Sequence, residues 1–182
     1  MRWITRSHLH LDRVATPWLI KRFVDPTAEF LFTDWESGVP DHDGTIPFGY
    51  PGIELSSPDE RGTSFHKVLV SNGIDDPAVA RMDRIIQAGV DHARGCEPSA
   101  DLTDDEASLG AALDLLGSGL GLVLSDEEHL EAGLAIYEGV YALCQVMTLP
   151  ATTRADAPSP LPERVPYLRR AIGRAAHLES TR

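Results

Sequence analysis

The sequence predicts an α+β fold: a helix-rich single domain with a small N-terminal β-sheet. Three observations lead there. Residues 2–6 and 28–33 have strand character, and the second stretch puts Phe30 and Phe32 on one face. Two capping boxes, Thr103-Asp104-Asp105-Glu106 and Ser125-Asp126-Glu127-Glu128, open long apolar-periodic runs. Asp76-Pro77 starts a further helix, with Val79, Met82, Ile86 and Val90 at helical spacing.

The elements follow in order. After the first strand, Thr16-Pro17 reads as a helix start, a hydroxyl cap followed by Pro at the first helical position. Trp18, Leu19, Ile20 and Phe23 supply its apolar face. The helix stops at Asp25, because the residue before a Pro is pushed out of helical geometry. The second strand, Ala28 to Thr33, comes next. From Trp35 to Gly62 the chain is rich in Gly, Pro and Asp and reads as a long loop with one strand-like piece, Gly52-Ile53-Glu54-Leu55. Irregular stretches of that length inside a domain are often functional. Thr63 or Ser64 caps a helix running to about Asn72-Gly73, before the one that starts at Asp76-Pro77. The Thr103 box opens a helix carrying Leu109, Leu113 and Leu116. The Ser125 box opens the longest helix, about 126–147, on which Leu130, Leu134, Tyr137, Tyr141 and Cys144 form one core-facing stripe. Residues 148–162 read as a linker. A last helix, about 166–177, lies in a basic segment with Arg164, Arg169, Arg170 and Arg174. The domain proper is thus expected to be 1–149, with 150–182 as linker and basic C-terminal helix.

Composition narrows the function. A chain of 182 residues fits one domain that can bury its own core. A formal net charge of -12 repels phosphate backbones and anionic lipid, so nucleic acid and membrane are not expected partners. Cys96 and Cys144 are far apart, match no metal-ligand spacing, and suit a reducing compartment. The N-terminal residues lack the apolar stretch of a signal peptide, and no window has the apolar length of a membrane span. The expected location is cytoplasmic.

Several groups carry potential chemistry. Glu131 and Glu138 are seven residues apart and stack on one helix edge, where they could share a divalent cation or lie in solvent. Glu54 and His66 flank the Ser56–Gly62 loop, and a carboxylate and an imidazole meeting there would make half a metal site. His8 and His10 alternate with Leu9 and Leu11, so on a strand both imidazoles would share a face. His42 lies in a turn-like Asp41-His42-Asp43-Gly44, and His129 reads as a packing histidine. Gly117-Ser118-Gly119-Leu120-Gly121 fails as a phosphate loop, because it follows a helix and no Lys comes after it. Arg6, Asp12 and Arg13 have two readings. They could hold an oxyanion or carboxylate beside a helix start, or form a buried structural ion pair.

The run Asp12–Phe23 with Asp25-Pro26 and Ala28–Phe32 resembles the signature of the chromate-resistance (ChrB-type) family. Trp3-Ile4-Thr5-Arg6, Ile46-Pro47-Phe48, Pro51–Leu55, Thr63-Ser64-Phe65, Leu130–Gly133, Tyr137, Tyr141 and Cys144 match it in order. The resemblance implies a role in bacterial chromate resistance, as a chromate-responsive regulator or accessory factor, with no reaction attached. Longer regulators of that type carry an additional N-terminal region without counterpart here, which adds to the expectation against DNA binding. Relatives tend to carry a carboxylate where His66 stands, and His or Cys in the loop where this chain has Ser56-Ser57-Pro58. Two functions follow as expectations. One is a metal- or small-ligand-binding domain with redox or hydrolytic capacity. Its metal (Fe, Mn or Zn) would sit on Glu54, His66, Glu131 and Glu138, organised by Arg6, Asp12 and Arg13. The other is a non-catalytic sensing module, meeting a protein partner or a second copy through its C-terminal helix.

Overall fold

A computed structural model of the chain describes residues 1–34, 36, 38–39 and 44–179, with side chains to residue 174. Three strands form one parallel sheet in the order β2-β1-β3: β1 Arg2–Arg6, β2 Glu29–Thr33 and β3 Thr45–Pro47. β1 is central and pairs from Arg2↔Glu29 to Arg6↔Thr33 on one side and from Arg2↔Thr45 to Ile4↔Pro47 on the other. The helices are α1 Asp12–Leu19, α2 Ser64–Ser71, α3 Pro77–Ala93, α4 Asp104–Gly121, α5 Asp126–Thr148, α6 Ala151–Ala155 and α7 Leu161–Glu179. The architecture is the expected α+β one.

α1 is the hub. All eight of its residues are buried. It packs on α5 so closely that a Cβ at Gly133 would stand 2.1 Å from Val14 Cγ1. Tyr137 on α5 donates to the Leu11 carbonyl oxygen at 3.0 Å, and Trp18, Phe23 and Tyr141 close the far end with ring centroids 5.3–6.0 Å apart. α3 and α4 meet through glycine: a Cβ at Gly89 would stand 2.8 Å from the Gly110 carbonyl oxygen, and one at Gly110 would stand 2.7 Å from that of Ile85. Both capping boxes form as read. The carboxylate of Glu106, buried in the first of them, also accepts from Arg81 and Arg84.

Local expectations are corrected at the start of α1, at residues 52–55, at His8 and His10, and in the expected linker with the helix that follows it, while the stop at Asp25 holds. α1 begins at Asp12, not Thr16, and Pro17 lies inside it. Thr16 Oγ1 donates back to the Asp12 carbonyl oxygen instead of capping. After Leu19 the chain widens into a π-turn, Ile20–Val24, that ends at extended Asp25 ahead of Pro26. Gly52–Leu55 is a turn, with Gly52 at φ 79, and the third strand is Thr45–Pro47 instead. Its Pro47 is tolerated because it ends an edge strand. His8 and His10 lie beyond the end of β1, in a loop where His8 has φ 57, so they share no strand face. The expected linker contains α6, and α7 starts at Leu161, ahead of Pro166.

Candidate functional site

The β1–α1 connection is held in an unusual shape. His8 and Leu11 have positive φ, 57 and 39, which L-residues adopt at a cost and keep only where surroundings enforce it. Arg13 is the main enforcer, its guanidinium donating to the carbonyl oxygens of Arg6 (2.8 Å), Ser7 (2.8 Å) and His8 (2.6 Å). Asp126 at the start of α5 accepts the amides of His8 (3.0 Å) and Leu9 (2.7 Å). Asp12 is buried and accepts the amides of Ser64 (3.0 Å) and Phe65 (2.9 Å), so it caps α2 from another helix. Asp12 is therefore bound to backbone amides, and Arg13 to backbone carbonyls.

Beside this loop lies a cavity of about 330 Å³ between the end of β1, the Ser57-Pro58 loop and the last turn of α3. Arg6, His10, Arg13 and Arg94 bring cationic or ionisable groups to it. It opens at the carboxyl end of the central strand, where neighbouring connections diverge, the usual ligand crevice of parallel sheets. Arg6 donates to the Gly49 carbonyl oxygen at 3.0 Å, and Arg94 reaches across to that of Pro58 at 2.7 Å. Burial first, and then the Arg6 charge beside it, push Arg13 down to about 10. Thr5, at the same strand end, is fully buried, and its hydroxyl has no hydrogen-bond partner among the described residues.

His10 is backed by a charged cluster. Its Nε2 lies 2.9 Å from Asp114 Oδ1 and 3.1 Å from both the Asp114 carbonyl oxygen and Ser118 Oγ. Asp114, buried on α4, takes His92 Nδ1 on its other oxygen at 2.6 Å. Gly117 lets the ring in close, since a Cβ there would stand 3.3 Å from His10 Cδ2. The glycine-rich run at 117–121 is thus the last part of α4, and its first glycine serves packing.

A second cavity, about 510 Å³, lies between α2, α3 and the Glu60–Gly62 turn. Here His66 Nδ1 meets Asp83 at 2.7 Å. Asp83 is raised above the ordinary carboxylate range by burial, with the His66 bond opposing. Gly62, at φ 98, packs under the imidazole: a Cβ would stand 3.0 Å from its ring carbons.

The four expected metal ligands do not gather. Glu54 is exposed in a turn and Glu131 is exposed on α5. Glu138 accepts from Trp18 Nε1 at 2.9 Å and lies 4.0 Å from Arg22, while His66 turns to Asp83. Among the described residues, no group of three or more His, Cys, Asp and Glu side chains is placed to hold a metal. His42 lies outside the described residues. His129 is a buried packing histidine, lowered by burial, and the same cause pushes the Cys144 thiol up to about 12. The sequence reading missed Asp83, Arg94 and Asp114. Asp83 and Asp114 had a signal, each being a carboxylate next to an apolar helix stripe. Arg94 had none.

Fold and cleft define a helix-rich α+β domain built on one βαβ unit, with guanidinium groups converging at its strand end. The family described as ChrB, C-terminal domain, matches residues 3–144, and the chain belongs to it. Protein ChrB of Cupriavidus metallidurans is 37% identical over 116 residues, 63% of this chain and 34% of that protein. The chain thus spans about a third of that relative's length. No solved structure matches. No helix among the described residues is long and apolar enough to cross a membrane.

Proposed function

We propose that this domain binds a small tetrahedral oxyanion of the chromate and sulfate kind in the cleft beside β1, as the ligand-binding part of a chromate-response system. The observation that carries the reading is the convergence of Arg6, Arg13 and Arg94 on one cavity at the strand end. Guanidinium groups present donors in a fixed plane and bind oxyanions through charge-assisted hydrogen bonds. In a chain of net charge -12, a local cationic cleft also selects where an anion goes. Arg13 holds the loop, Arg6 sits at the strand end, and exposed Arg94, its side chain bonded among the described residues only to the Pro58 carbonyl oxygen, is the member that can turn to a ligand. The test is calorimetric titration with chromate, sulfate and phosphate. Arg94→Gln should weaken binding about tenfold or more, the worth of one hydrogen bond to a charged group. If the folded wild-type chain binds none of these anions at millimolar concentration, the reading falls.

His66 supports a second reading, a divalent metal (Fe, Mn or Zn). Its Nδ1 is oriented by Asp83, the arrangement that presents Nε2 as a ligand, and it borders a cavity. Glu54, Glu131 and Glu138 would have to move to join it. Metal analysis before and after Glu54→Ala with His66→Ala decides: unchanged stoichiometry removes the proposed ligands. A partner, or a second copy, fits the exposed Arg164, Arg169, Arg170 and Arg174 of α7 against an otherwise acidic chain. Sedimentation at low and high salt tests self-association there.

A further inference from the structure

His10 borders the cleft with one nitrogen committed and one open. Three oxygens surround Nε2, at 2.9, 3.1 and 3.1 Å, so Nε2 carries a hydrogen and donates to the Asp114 carbonyl oxygen, with the Asp114 carboxylate beside it. Nδ1 has no hydrogen-bond partner among the described residues. In the neutral ring Nδ1 is a lone pair, which repels a fully ionised oxyanion. In the imidazolium it is a donor with a positive charge behind it.

Resting on the reading of this cleft as an oxyanion site, we propose that anion binding is coupled to uptake of one proton at His10 Nδ1, with Asp114 as the fixed counter-charge. The step balances simply. The proton comes from hydronium or from the hydroxyl of a singly protonated anion: that O–H bond breaks as the Nδ1–H bond forms, and no other covalent bond changes. Charged groups of both signs face His10. Arg6 of β1, Arg13 of α1 and Arg94 at the end of α3 line the same cavity and work against a further cation. His129 of α5 does so when it is charged. Asp114 of α4, Asp126 of α5 and Asp12 of α1 work in its favour; Asp114 also takes His92, Asp126 the amides of His8 and Leu9, and Asp12 those of Ser64 and Phe65. An arriving anion supplies negative charge on the open side of the ring, so anion and proton bind together. The linkage ties occupancy to acidity.

The test uses sulfate, which stays fully ionised, titrated into the full chain between about pH 5.5 and 8.5, the range in which imidazoles change charge. Affinity should rise as pH falls, approaching about tenfold per pH unit for one linked proton. Heats measured in two buffers of different ionisation enthalpy should report uptake of about one proton per sulfate. In His10→Gln, whatever sulfate affinity remains should lose the slope and the buffer dependence. The buffer comparison on the wild-type chain stands even if that variant folds poorly. Sulfate binding with a flat pH profile and no buffer dependence overturns the proton linkage alone, as does an unchanged slope in folded His10→Gln. Absence of sulfate and chromate binding at every pH overturns the cleft reading, and the linkage with it.

Discussion

Asp12 offers a sharp separation of structure from ligand binding. Its carboxylate is buried and accepts the Ser64 amide at 3.0 Å, the Phe65 amide at 2.9 Å and the Thr16 hydroxyl at 3.3 Å. It thereby pins the start of α2 to the start of α1. In Asp12→Asn one oxygen still accepts, but an NH2 group now faces the other amide. In Asp12→Ala both amides are stranded. A hydrogen bond to a charged group contributes about 1.5–3 kcal/mol, and a buried donor left alone costs about 1–3 kcal/mol. The amide variant should thus lose about 2–3 kcal/mol and the alanine variant about 3–5 kcal/mol. At roughly 2–4 °C per kcal/mol for a chain of this size, Asp12→Asn should melt roughly 4–12 °C lower. Urea unfolding followed by far-ultraviolet circular dichroism measures the loss directly. If both variants stay within about 0.5 kcal/mol of wild type, the capping argument is wrong. A stable Asp12→Asn that no longer binds sulfate would show that Asp12 positions the cleft as well as α2.

Three further outcomes follow from the packing. Gly133→Ala should destabilise by about 1–3 kcal/mol, because a Cβ there overlaps Val14, and Val14→Ala in the same chain should recover part of it; two additive losses in denaturant titration would refute the contact. Exposed Cys96 should react with a thiol reagent in the native chain, while Cys144, buried and with its thiol pushed up to about 12, should react only in denaturant; two fast thiols in the folded protein would contradict this. Asp59 is held below the ordinary carboxylate range by the Ser56 hydroxyl first and then by Lys67 and the Arg61 amide. A depressed carboxylate stabilises above its unfolded value and loses that effect as pH falls through the folded one. Proteolysis at 56–62 should therefore quicken on acidification below about pH 4, and Lys67→Met should flatten that dependence.

The helices were legible because their starts are written locally. Thr63, Asp76, Thr103 and Ser125 each accept from amides two or three residues on, so adjacent sequence carries the signal. The start of α1 was not legible, because what enforces it is distant: Asp126 lies 117 and 118 residues from the amides it accepts. Thr16-Pro17 imitates a cap, but the buried surroundings of α1 override it. β3 was hidden among Gly and Pro, since three residues on a sheet edge need only one good neighbour. The candidate site shows the same split. Arg6, Asp12 and Arg13 stood out as a motif, and the structure brings them to one loop. Asp83 and Arg94 reach their clefts, and Asp114 reaches His10, only through the packing of α3 and α4 on the rest of the chain, which no local pattern encodes.

The backbone contact of Gly89 with Gly110 acts as a gauge. His92 follows Gly89 by three residues and Asp114 follows Gly110 by four, so the thickness of that crossing sets how far the carboxylate reaches toward both imidazoles. A single methyl inserted there would wedge the two rods apart and detune the proton balance of a cavity it never touches. Mutational surveys of this domain should therefore meet some of their sharpest changes in acidity response at two residues that have no side chain.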